Sequence, residues 1–361
     1  MKRVLFVLPV VEPSWAMNQA RLLAPHLLAA GYDVHVCTLG AGAATLGWGQ
    51  PVPSTAIAGR GPLDPVALIH LRRHIGRLAP QLVHAWLPTT QPRLRLLPLV
   101  ERRVPWLLSQ AGFAPPATWL QAHLESRHLA GVADWTVSDP AAAAIARASG
   151  LNANRVHWIA SGVAAAREPT QSRAQWMAEL GLPPDVFMIG GVGRLLVERQ
   201  WKDLIWAADM LKYIRRDIHL LICGVGPQRR RLERYRRQVQ IEDQVHFLGA
   251  RHDVLDWLPH LDGFWSGRAD RAQPLALLEA MAAGVPSIGT RLSGAEQVIR
   301  HGQSGFLVPV GDRAGIARLT RKLLDDRPLA RALGQCGREH VAASFSQQRM
   351  AEAFLRLYDS R

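Results

Sequence analysis

The sequence predicts an α/β protein made of two doubly wound, Rossmann-like domains that face each other across a cleft. Three observations lead to this fold class. The chain has 361 residues, whereas single hydrophobic cores stop growing at about 300 residues. Short apolar runs alternate with amphipathic helical stretches, which is typical of parallel sheets covered by helices on both faces. Hydrophobic residues make up 48% of the chain, which is enough to fill two such cores.

The first domain is predicted over residues 1–165, and it opens with a strand, a helix and a second strand. The helix, expected around residues 20–28, ends at Gly31, and Pro25 predicts a kink within it. The later strands are each preceded by an Arg-rich or Ala-rich helical stretch. The strands predicted for this domain are 4–10, 33–39, 81–87, 104–109 and 134–138.

Residues 166–184 are predicted as a linker, because polar, Pro-containing sequence interrupts the alternation around one helical piece. A second αβ series follows over 185–345, and the chain ends in an amphipathic helix within 346–361. The strands predicted for the second domain are 186–192, 218–223, 244–248, 263–266, 286–289 and 305–308.

The net charge of +14 comes almost entirely from arginine, since the chain has only four lysines. Such an excess attracts phosphates, nucleic acid or anionic lipid headgroups. Six arginines cover most of the circumference of the helix predicted over 228–240, where Tyr235 is the only aromatic residue. A solvated helix is favoured over nucleic-acid docking there, and no nucleic-acid partner is predicted.

Three cysteines that lie far apart indicate reduced thiols in a cytoplasmic protein. The apolar run 4–11 lacks a cleavage site, so a buried first strand is favoured over a signal peptide. A peripheral position at the inner face of a membrane is a further hypothesis, with solvated, scattered arginines as its equal alternative. The residues considered for that surface are Arg72, Arg73, Arg77, Arg93, Arg95, Arg102, Arg103, Trp106 and Trp119.

The segment Gly191-Val-Gly-Arg-Leu195 follows a predicted strand and precedes a helix. Glycines let the backbone approach a ligand closely, and Arg194 offers a planar fork to phosphate. Arg199 and Lys202 follow at distances that could add a second positive charge against a diphosphate leaving group. A tight turn with an exposed arginine, before a solvated helix start, is the structural alternative.

A second glycine turn, Gly224-Val-Gly-Pro227, also follows a strand. Arg229 stands where a dinucleotide-binding fingerprint requires its third glycine, so the segment is interpreted as a turn into a helix.

The segment from Pro274 to Pro286 predicts an apolar helix that ends at Gly284. Its one charged residue, Glu279, needs hydrogen-bond donors if it is half-buried, and the ribose hydroxyls of a nucleotide would supply them. An ion pair with a nearby arginine is the alternative.

Motifs of several other chemistries are missing from the sequence. It has no Asp-x-Asp pair, no Walker loop, no Gly-x-Ser-x-Gly elbow and no metal-ligand spacing among its fourteen histidines. A reaction without a metal or a cofactor is therefore predicted.

Taken together, these segments resemble family 4 of the retaining glycosyltransferases, which have the GT-B fold. The resemblance covers nearly the whole chain, and six motifs occur in the family's order in the second domain. They are Val192–Leu195, Leu221–Pro227, Val245–Gly249, Pro274–Pro286, Ser293–Glu296 and His301–Pro309.

The resemblance implies a transferase that takes a hexose-type sugar from a nucleotide sugar held by the second domain. The first domain would hold the acceptor, a glycan or a lipid-linked molecule, and residues 346–361 would pack back on that domain. Arg194 and Arg199 would bind the diphosphate, Glu279 the ribose, and the backbone near Gly249 and Arg251 the base. The full set implied for the sugar donor is Gly193, Arg194, Arg199, Lys202, Gly249, Arg251, Arg271, Pro274, Leu275 and Glu279.

Several positions depart from the family pattern. Arg271 replaces the usual Glu beside the transferred sugar, which reverses the local field and removes two acceptors for sugar hydroxyls. Arg199 replaces the usual Lys, and Ala111 replaces the usual His of the first domain. Two hypotheses follow: a retaining, metal-independent glycosyltransferase, or a non-catalytic protein that binds nucleotide sugars or serves as a scaffold. The remaining departures are Ala272, Ser161-Gly162, and Ser14–Asn18 in place of a glycine-rich turn.

Overall fold

The structure is a computed structural model, and the residues it describes are 2–8, 15–39, 52–61, 63–89, 91–116, 118–128, 131–269 and 273–360. The chain divides into two compact units. One comprises Met1–Gly162 together with Gln347–Arg361, and the other comprises Val163–Ser346.

The first unit contains a parallel sheet of seven strands in the order β3-β2-β1-β4-β5-β6-β7. Its described elements in chain order are β1 (Arg3–Leu8), α1 (Trp15–Ala29), β2 (Asp33–Leu39), β3 (Ser54–Ile57), α2 (Pro65–Leu78), β4 (Leu82–Trp86), β5 (Trp106–Gln110), α3 (Trp119–His123), β6 (Ala133–Val137), α4 (Pro140–Ala148) and β7 (Val156–Trp158). A 3₁₀ segment spans Pro92–Val100, a second spans Ala153–Arg155, and a π-helical turn spans Leu124–His128.

The second unit contains a parallel sheet of six strands in the order β10-β9-β8-β11-β12-β13. Its described elements are α5 (Arg173–Glu179), β8 (Phe187–Val192), α6 (Trp201–Lys212), β9 (Ile218–Cys223), α7 (Arg229–Gln238), β10 (Val245–Gly249), α8 (Val254–Trp257), β11 (Gly263–Ser266), α9 (Leu275–Ala282), β12 (Ser287–Thr290), α10 (Ser293–Val298), β13 (Phe306–Val308), α11 (Arg313–Asp325) and α12 (Arg327–Ser344). The 3₁₀ turns Val197–Arg199 and Leu258–His260 complete this series. The last helix, α13 (Gln347–Asp359), belongs to the first unit.

Strand β1, in the interior of the first sheet, shows why both faces of the sheet are covered. Val4, Phe6 and Leu8 point into the core formed with α1 and α13, whereas Leu5 and Val7 point into the core formed with α2 and α4. Successive side chains of a strand alternate between faces, so a continuous apolar run requires a core on each side. The predicted fold class, α/β with two parallel sheets, is confirmed.

Two strands of the first sheet were not predicted. The edge strand β3 is mostly exposed, and a proline stands directly before it, so its sequence lacks an apolar pattern. Strand β7 has only three residues. Both lie at the sheet margins, where packing on one side is enough to hold a strand.

The segment predicted as a linker, 166–184, lies within the second unit. It contains α5, which begins with a capping box between Ser172 and Gln175. The indole ring of Trp176 is buried, with its centroid 5.3 Å from that of Trp257. Burial of a large aromatic ring explains why this polar stretch is folded onto the unit.

Two of the residues predicted for the membrane-attachment surface are not on the surface, so the prediction is wrong for them. Arg95 is fully buried, and its Nε lies 3.0 Å from a carboxylate oxygen of buried Glu125. Trp106 is also fully buried, and its indole donates to the carbonyl of Glu101. Within the described ranges, none of the helices combines the length and the apolar character that crossing a bilayer requires.

Candidate active site

The candidate site lies at the carboxyl edge of the second sheet, where β8, β9, β10 and β11 end. Open parallel sheets bind ligands at this edge because the loops that leave it carry backbone and side-chain groups not used by the sheet. The loops that follow β8, β9 and β11 contain Gly193, Gly224 and Gly267, and Gly249 is the last residue of β10.

Gly193 and Gly224 are in direct backbone contact. Their φ angles are +152° and +151°, a region that side-chain-bearing residues rarely adopt. A Cβ added to Gly224 would lie 1.9 Å from the carbonyl oxygen of Gly193, and a Cβ added to Gly226 would lie 2.6 Å from that of Leu195. The backbone of the turn after β9 therefore contacts the backbone of the turn after β8, and only glycine permits such a short distance between them.

Hydrogen bonds continue the pairing of β8, β9 and β10 beyond the sheet. The amide of Gly193 donates to the carbonyl of Cys223 (2.9 Å), and the amide of Leu195 donates to that of Val225 (2.9 Å). The amide of Gly224 donates to the carbonyl of Gly249 (2.7 Å). Three loops are thereby held in one fixed arrangement.

Trp201 packs against the Gly193 loop and is hydrogen-bonded to it. Its indole nitrogen donates to the carbonyl of Arg194 (2.9 Å), and its buried ring lies against Gly191 and Gly193. The guanidinium of Arg199 lies on the same loop, since a Cβ at Gly193 would be 3.8 Å from its Nη1. Arg194 is exposed. The structure thus places Arg199 beside Gly193, with Arg194 next along the loop, and the role of these residues in donor binding stays a prediction.

The loop after β11 is attached to the same edge. The amide of Ala269 donates to the carbonyl of Glu198 (2.7 Å), and the amide of Arg268 donates to the hydroxyl of Thr290 (2.9 Å). This loop leads to Arg271 and Ala272, which lie outside the described residues.

Helix α9 follows that loop and carries the candidate ribose ligand. Pro274 stands at its N-cap position and is buried, Leu275 is half-buried, and among the described residues no side chain caps the helix. Glu279 is half-buried, while its neighbours Leu277, Leu278 and Met281 are fully buried. The predicted end of the helix is as observed, with Gly284 in the left-handed region (φ +78°).

Lys202 and Arg251 have side-chain partners that the sequence did not indicate. The Nζ of Lys202 lies 4.8 Å from the ring centroid of Tyr235 on α7. Arg251 donates from two nitrogens to the carboxylate of Asp253, and also to Glu179 (3.0 Å). These carboxylates raise the pKa of Arg251. Because its guanidinium is hydrogen-bonded to them, only the backbone of Arg251 is considered for contact with a ligand.

Cys223, the last residue of β9, is buried beneath these loops and carries a neutral thiol. Its Sγ lies 3.5 Å from the carbonyl oxygen of Gly249, and burial raises its pKa to about 11. A thiol with this pKa is not a nucleophile at neutral pH. Among the described residues, no three His, Cys, Asp or Glu side chains are grouped so that they could share a metal ion.

The first unit has a cavity of about 870 Å³ that the sequence did not reveal. It lies between the segments that follow β3 and β4, again at a carboxyl edge. Leu63 and Val66 expose apolar surface to it, and Arg60, Arg93 and the carboxylate of Asp64 line it as well. No local motif marks the cavity, because its two walls are distant in sequence.

Ala111 stands directly after β5, at the same edge of the first sheet. Its carbonyl accepts from the hydroxyl of Ser138 (2.6 Å), and the amide of Gly112 donates to the hydroxyl of Thr89 (3.3 Å). The methyl group of Ala111 can neither transfer a proton nor hydrogen-bond a sugar.

Two family models match the chain. The Glycosyl transferase 4-like domain matches residues 17–162, within the first unit, and Glycosyl transferases group 1 matches residues 172–340, within the second. Each model thus corresponds to one sheet.

Named relatives and a solved structure agree with these models. The chain is 37% identical over 142 residues to N-acetyl-alpha-D-glucosaminyl L-malate synthase of Bacillus anthracis, covering 39% of this chain and 37% of the relative. It is 29% identical over 182 residues to the lipopolysaccharide core biosynthesis glycosyltransferase LpsD of Rhizobium meliloti, covering 50% and 52%. The chain therefore spans about half of these relatives or less.

The crystal structure of HepE from Anabaena, in complex with UDP and glucose, superimposes with a TM-score of 0.88 at 16% identity, covering 100% of both chains. At this identity the likeness concerns the fold. A match to the Glycosyl transferase 4-like domain is thus followed along the chain by a match to Glycosyl transferases group 1, and the fold of the chain is the GT-B fold.

Proposed function

We propose that this chain transfers a sugar from a nucleotide-sugar donor to an acceptor, with retention of anomeric configuration and without a metal ion. One observation carries the proposal: the Gly193 loop, held rigidly between two other loops, has the guanidinium of Arg199 directly beside it. A glycine backbone next to a fixed cation is suited to a diphosphate.

The leaving group decides what this loop must do. As the bond between the sugar and the diphosphate breaks, negative charge grows on the departing phosphate oxygen. Arg199 and exposed Arg194 would stabilise that charge more strongly in the transition state than in the bound donor, and this difference accelerates the reaction. Because the hydrogen bonds that hold the loop are already formed, little reorganisation is needed.

Helix α9 would hold the nucleoside part of the donor. The amides at the start of a helix favour negative charge, and Leu275 stands in the first turn. Glu279 lies one turn further on, and its carboxylate can accept from both ribose hydroxyls. The backbone around Gly249 and Arg251, at the end of β10, is proposed for the base.

A solved structure supports the class of donor, and the cavity of the first unit is the basis for the class of acceptor. The structure of HepE holds UDP and glucose, which favours a UDP-hexose for this chain. The cavity of the first unit, with apolar walls and two arginines beside one carboxylate, suits an acceptor that has an apolar and an anionic part. A lipid-linked acceptor is therefore favoured over a neutral glycan.

The direct test is a panel of UDP-, GDP- and ADP-sugars with the purified protein, in the presence and absence of EDTA. We expect one donor to bind and to be turned over without added metal, and NMR of the product to show a retained anomeric configuration. If no donor binds and none is consumed, the proposal is refuted.

A non-catalytic nucleotide-sugar-binding protein is the second candidate, and Ala111 is the observation that favours it. Its methyl group gives the first unit no acid, base or hydrogen-bond donor at this position. The two candidates differ in Glu279→Ala: a transferase loses turnover, whereas a protein without catalysis has no turnover to lose. The cytoplasmic location remains a prediction, as does the arginine surface of the first unit, now without Arg95 and Trp106.

A further inference from the structure

The outer face of α6 carries an apolar stripe in the second unit. Trp206, Met210, Tyr213 and Ile214 follow the spacing i, i+4, i+7, i+8, so they lie along one side of the helix and its C-terminal end. These side chains are 38%, 37%, 80% and 51% exposed. Single exposed apolar residues are normal in proteins, but a contiguous stripe of them marks an interaction surface.

Helix α7 extends this surface. The ring centroid of its Tyr235 lies 6.3 Å from that of Trp206, so the two helices present adjoining aromatic groups. Cations lie over the faces of two rings: the guanidinium of Arg313 lies 4.0 Å from the ring centroid of Trp206, and Nζ of Lys212 lies 5.0 Å from that of Tyr213. Aromatic and basic groups therefore alternate across one face.

The acidic residues of this face are neutralised by partners. Asp203 pairs with Arg313 at 2.5 Å, Asp209 pairs with Lys212 at 2.7 Å, and Glu233 pairs with Arg229. The exposed arginines of α7, in contrast, form no ion pair in the part of the chain that the structure describes. They are Arg230, Arg231, Arg234 and Arg237.

We infer that this surface, the stripe of α6 with the four exposed arginines of α7, docks on an anionic lipid bilayer; we call it the α6–α7 patch. Trp and Tyr rings prefer the headgroup level, aliphatic side chains enter the boundary with the acyl chains, and arginines contact lipid phosphates. The inference goes beyond the proposed function, because it concerns a different surface and requires no sugar transfer.

Charge and side-chain type favour this partner over two others. A second copy of the chain would place one group of unpaired arginines against another, which is repulsive. A single-stranded nucleic acid would use stacking rings and cations, but it gives no reason for Met210 and Ile214 to lie in the same stripe. A bilayer accounts for both the cations and the aliphatic groups.

The test is sedimentation with vesicles of phosphatidylcholine alone or mixed with an equal part of phosphatidylglycerol. We expect binding to the mixed vesicles only. Each basic residue near an anionic surface strengthens partitioning about fivefold, so Arg230→Glu with Arg234→Glu should weaken it at least about 100-fold. Tyr213→Ser with Ile214→Ser should weaken it about tenfold. If the reversal variant unfolds, Arg230→Gln with Arg234→Gln should still weaken partitioning about 25-fold.

A matched control lies in the first unit. Arg73→Glu with Arg77→Glu makes the same change of charge on exposed positions of α2, within the arginine surface of the first unit considered above, and therefore separates the two surfaces. If the α6–α7 patch is the docking surface, this variant should bind as the wild type does. The inference is overturned if the α2 variant loses binding while the α7 variant keeps it, or if vesicles of phosphatidylcholine alone bind equally well. A preference for single-stranded DNA over mixed vesicles at the same salt concentration would overturn it as well.

Discussion

Replacing Gly224 by alanine tests whether the contact between two loops organises the candidate site. The new Cβ would lie 1.9 Å from the carbonyl oxygen of Gly193 and 2.8 Å from its carbonyl carbon. Both are backbone atoms, so no side chain can move aside. The strain at φ +151° adds to this clash. Strained backbone costs about 1 to 3 kcal/mol and overpacking a similar amount, so we expect a loss of about 3 to 5 kcal/mol in unfolding free energy.

The assay is urea unfolding followed by circular dichroism, with Gly311→Ala as the matched control. Gly311 lies in the same unit, also has a positive φ (+81°), and has nothing within 4 Å of an added Cβ. That variant should lose only the left-handed strain, about 1 to 2 kcal/mol. Equal destabilisation by the two substitutions would refute the argument, because it would mean that the close approach of the loops does not contribute.

Nucleotide binding gives an independent readout of the same contact. The clash can be relieved only if Gly193 moves away from Gly224, which displaces the backbone beside Arg199. Gly224→Ala should therefore lose affinity for UDP in calorimetric titration at temperatures where the protein is still folded, and Gly311→Ala should keep it. Unchanged affinity in folded Gly224→Ala protein would contradict the placement of the diphosphate on this loop.

Three further predictions concern single side chains. Arg199→Ala should lower kcat/KM for the donor about 100-fold or more. Lys202→Ala should change kcat/KM by no more than about fivefold, because the exposed ammonium of Lys202 lies on an aromatic ring. Steady-state kinetics of the two variants measures both effects. Arg95→Met should destabilise the protein by about 3 to 5 kcal/mol, and Arg95→Met with Glu125→Leu should recover most of that loss in urea unfolding, because no buried charge is then left alone. Burial lowers the pKa of His84, so below about pH 6.5 the unfolded chain binds a proton that the folded chain excludes. Stability should fall as the pH drops below that value, and less steeply in His84→Gln, as thermal unfolding across pH can measure.

The glycine turns show what local sequence can predict about the site. Gly193 and Gly224 each follow an apolar run, and the pattern alone identified both as turns after strands. Their contact could not be predicted, because it depends on β8 and β9 being neighbours in the sheet and on both loops having positive φ. The order of strands is decided by packing of helices on the sheet, which no short segment encodes.

The strands show the same difference between features that local sequence predicts and features that depend on the folded sheet. Interior strands such as β9 (Ile218–Cys223) and β2 (Asp33–Leu39) were predicted with their observed bounds, because most of their residues are apolar and buried, as strands paired on both sides require. The edge strand Ser54–Ile57 carries only one buried residue, so it has no such signature. Its pairing with β2 is a consequence of the sheet already formed.

Arginine is the residue whose role the sequence least reveals. Arg93 and Arg95 are two positions apart in one 3₁₀ segment, yet Arg93 is exposed and Arg95 is fully buried against Glu125. The guanidinium of Arg95 also lies 4.2 Å from the ring centroid of Phe113 and donates to the carbonyl of Ala114 (2.9 Å). It joins segments that are distant in sequence, and only the folded arrangement supplies these partners.

A net charge of +14 is compatible with phosphate, nucleic acid and lipid as partners, and the neighbours of each cation separate these possibilities. Arg199 lies beside a glycine loop at the carboxyl edge of a parallel sheet, which favours a phosphate. Arg95 is enclosed with a carboxylate and a ring, so its charge serves the fold. Arg230 and Arg234 are exposed beside an apolar stripe, which favours an extended anionic surface.

The three surroundings imply three different dependences on salt: exposed charges are screened within about 10 Å at 0.1 M ionic strength, whereas enclosed ones are not. Vesicle binding should therefore weaken with salt far more than UDP binding does, and the stability conferred by Arg95 should hardly change.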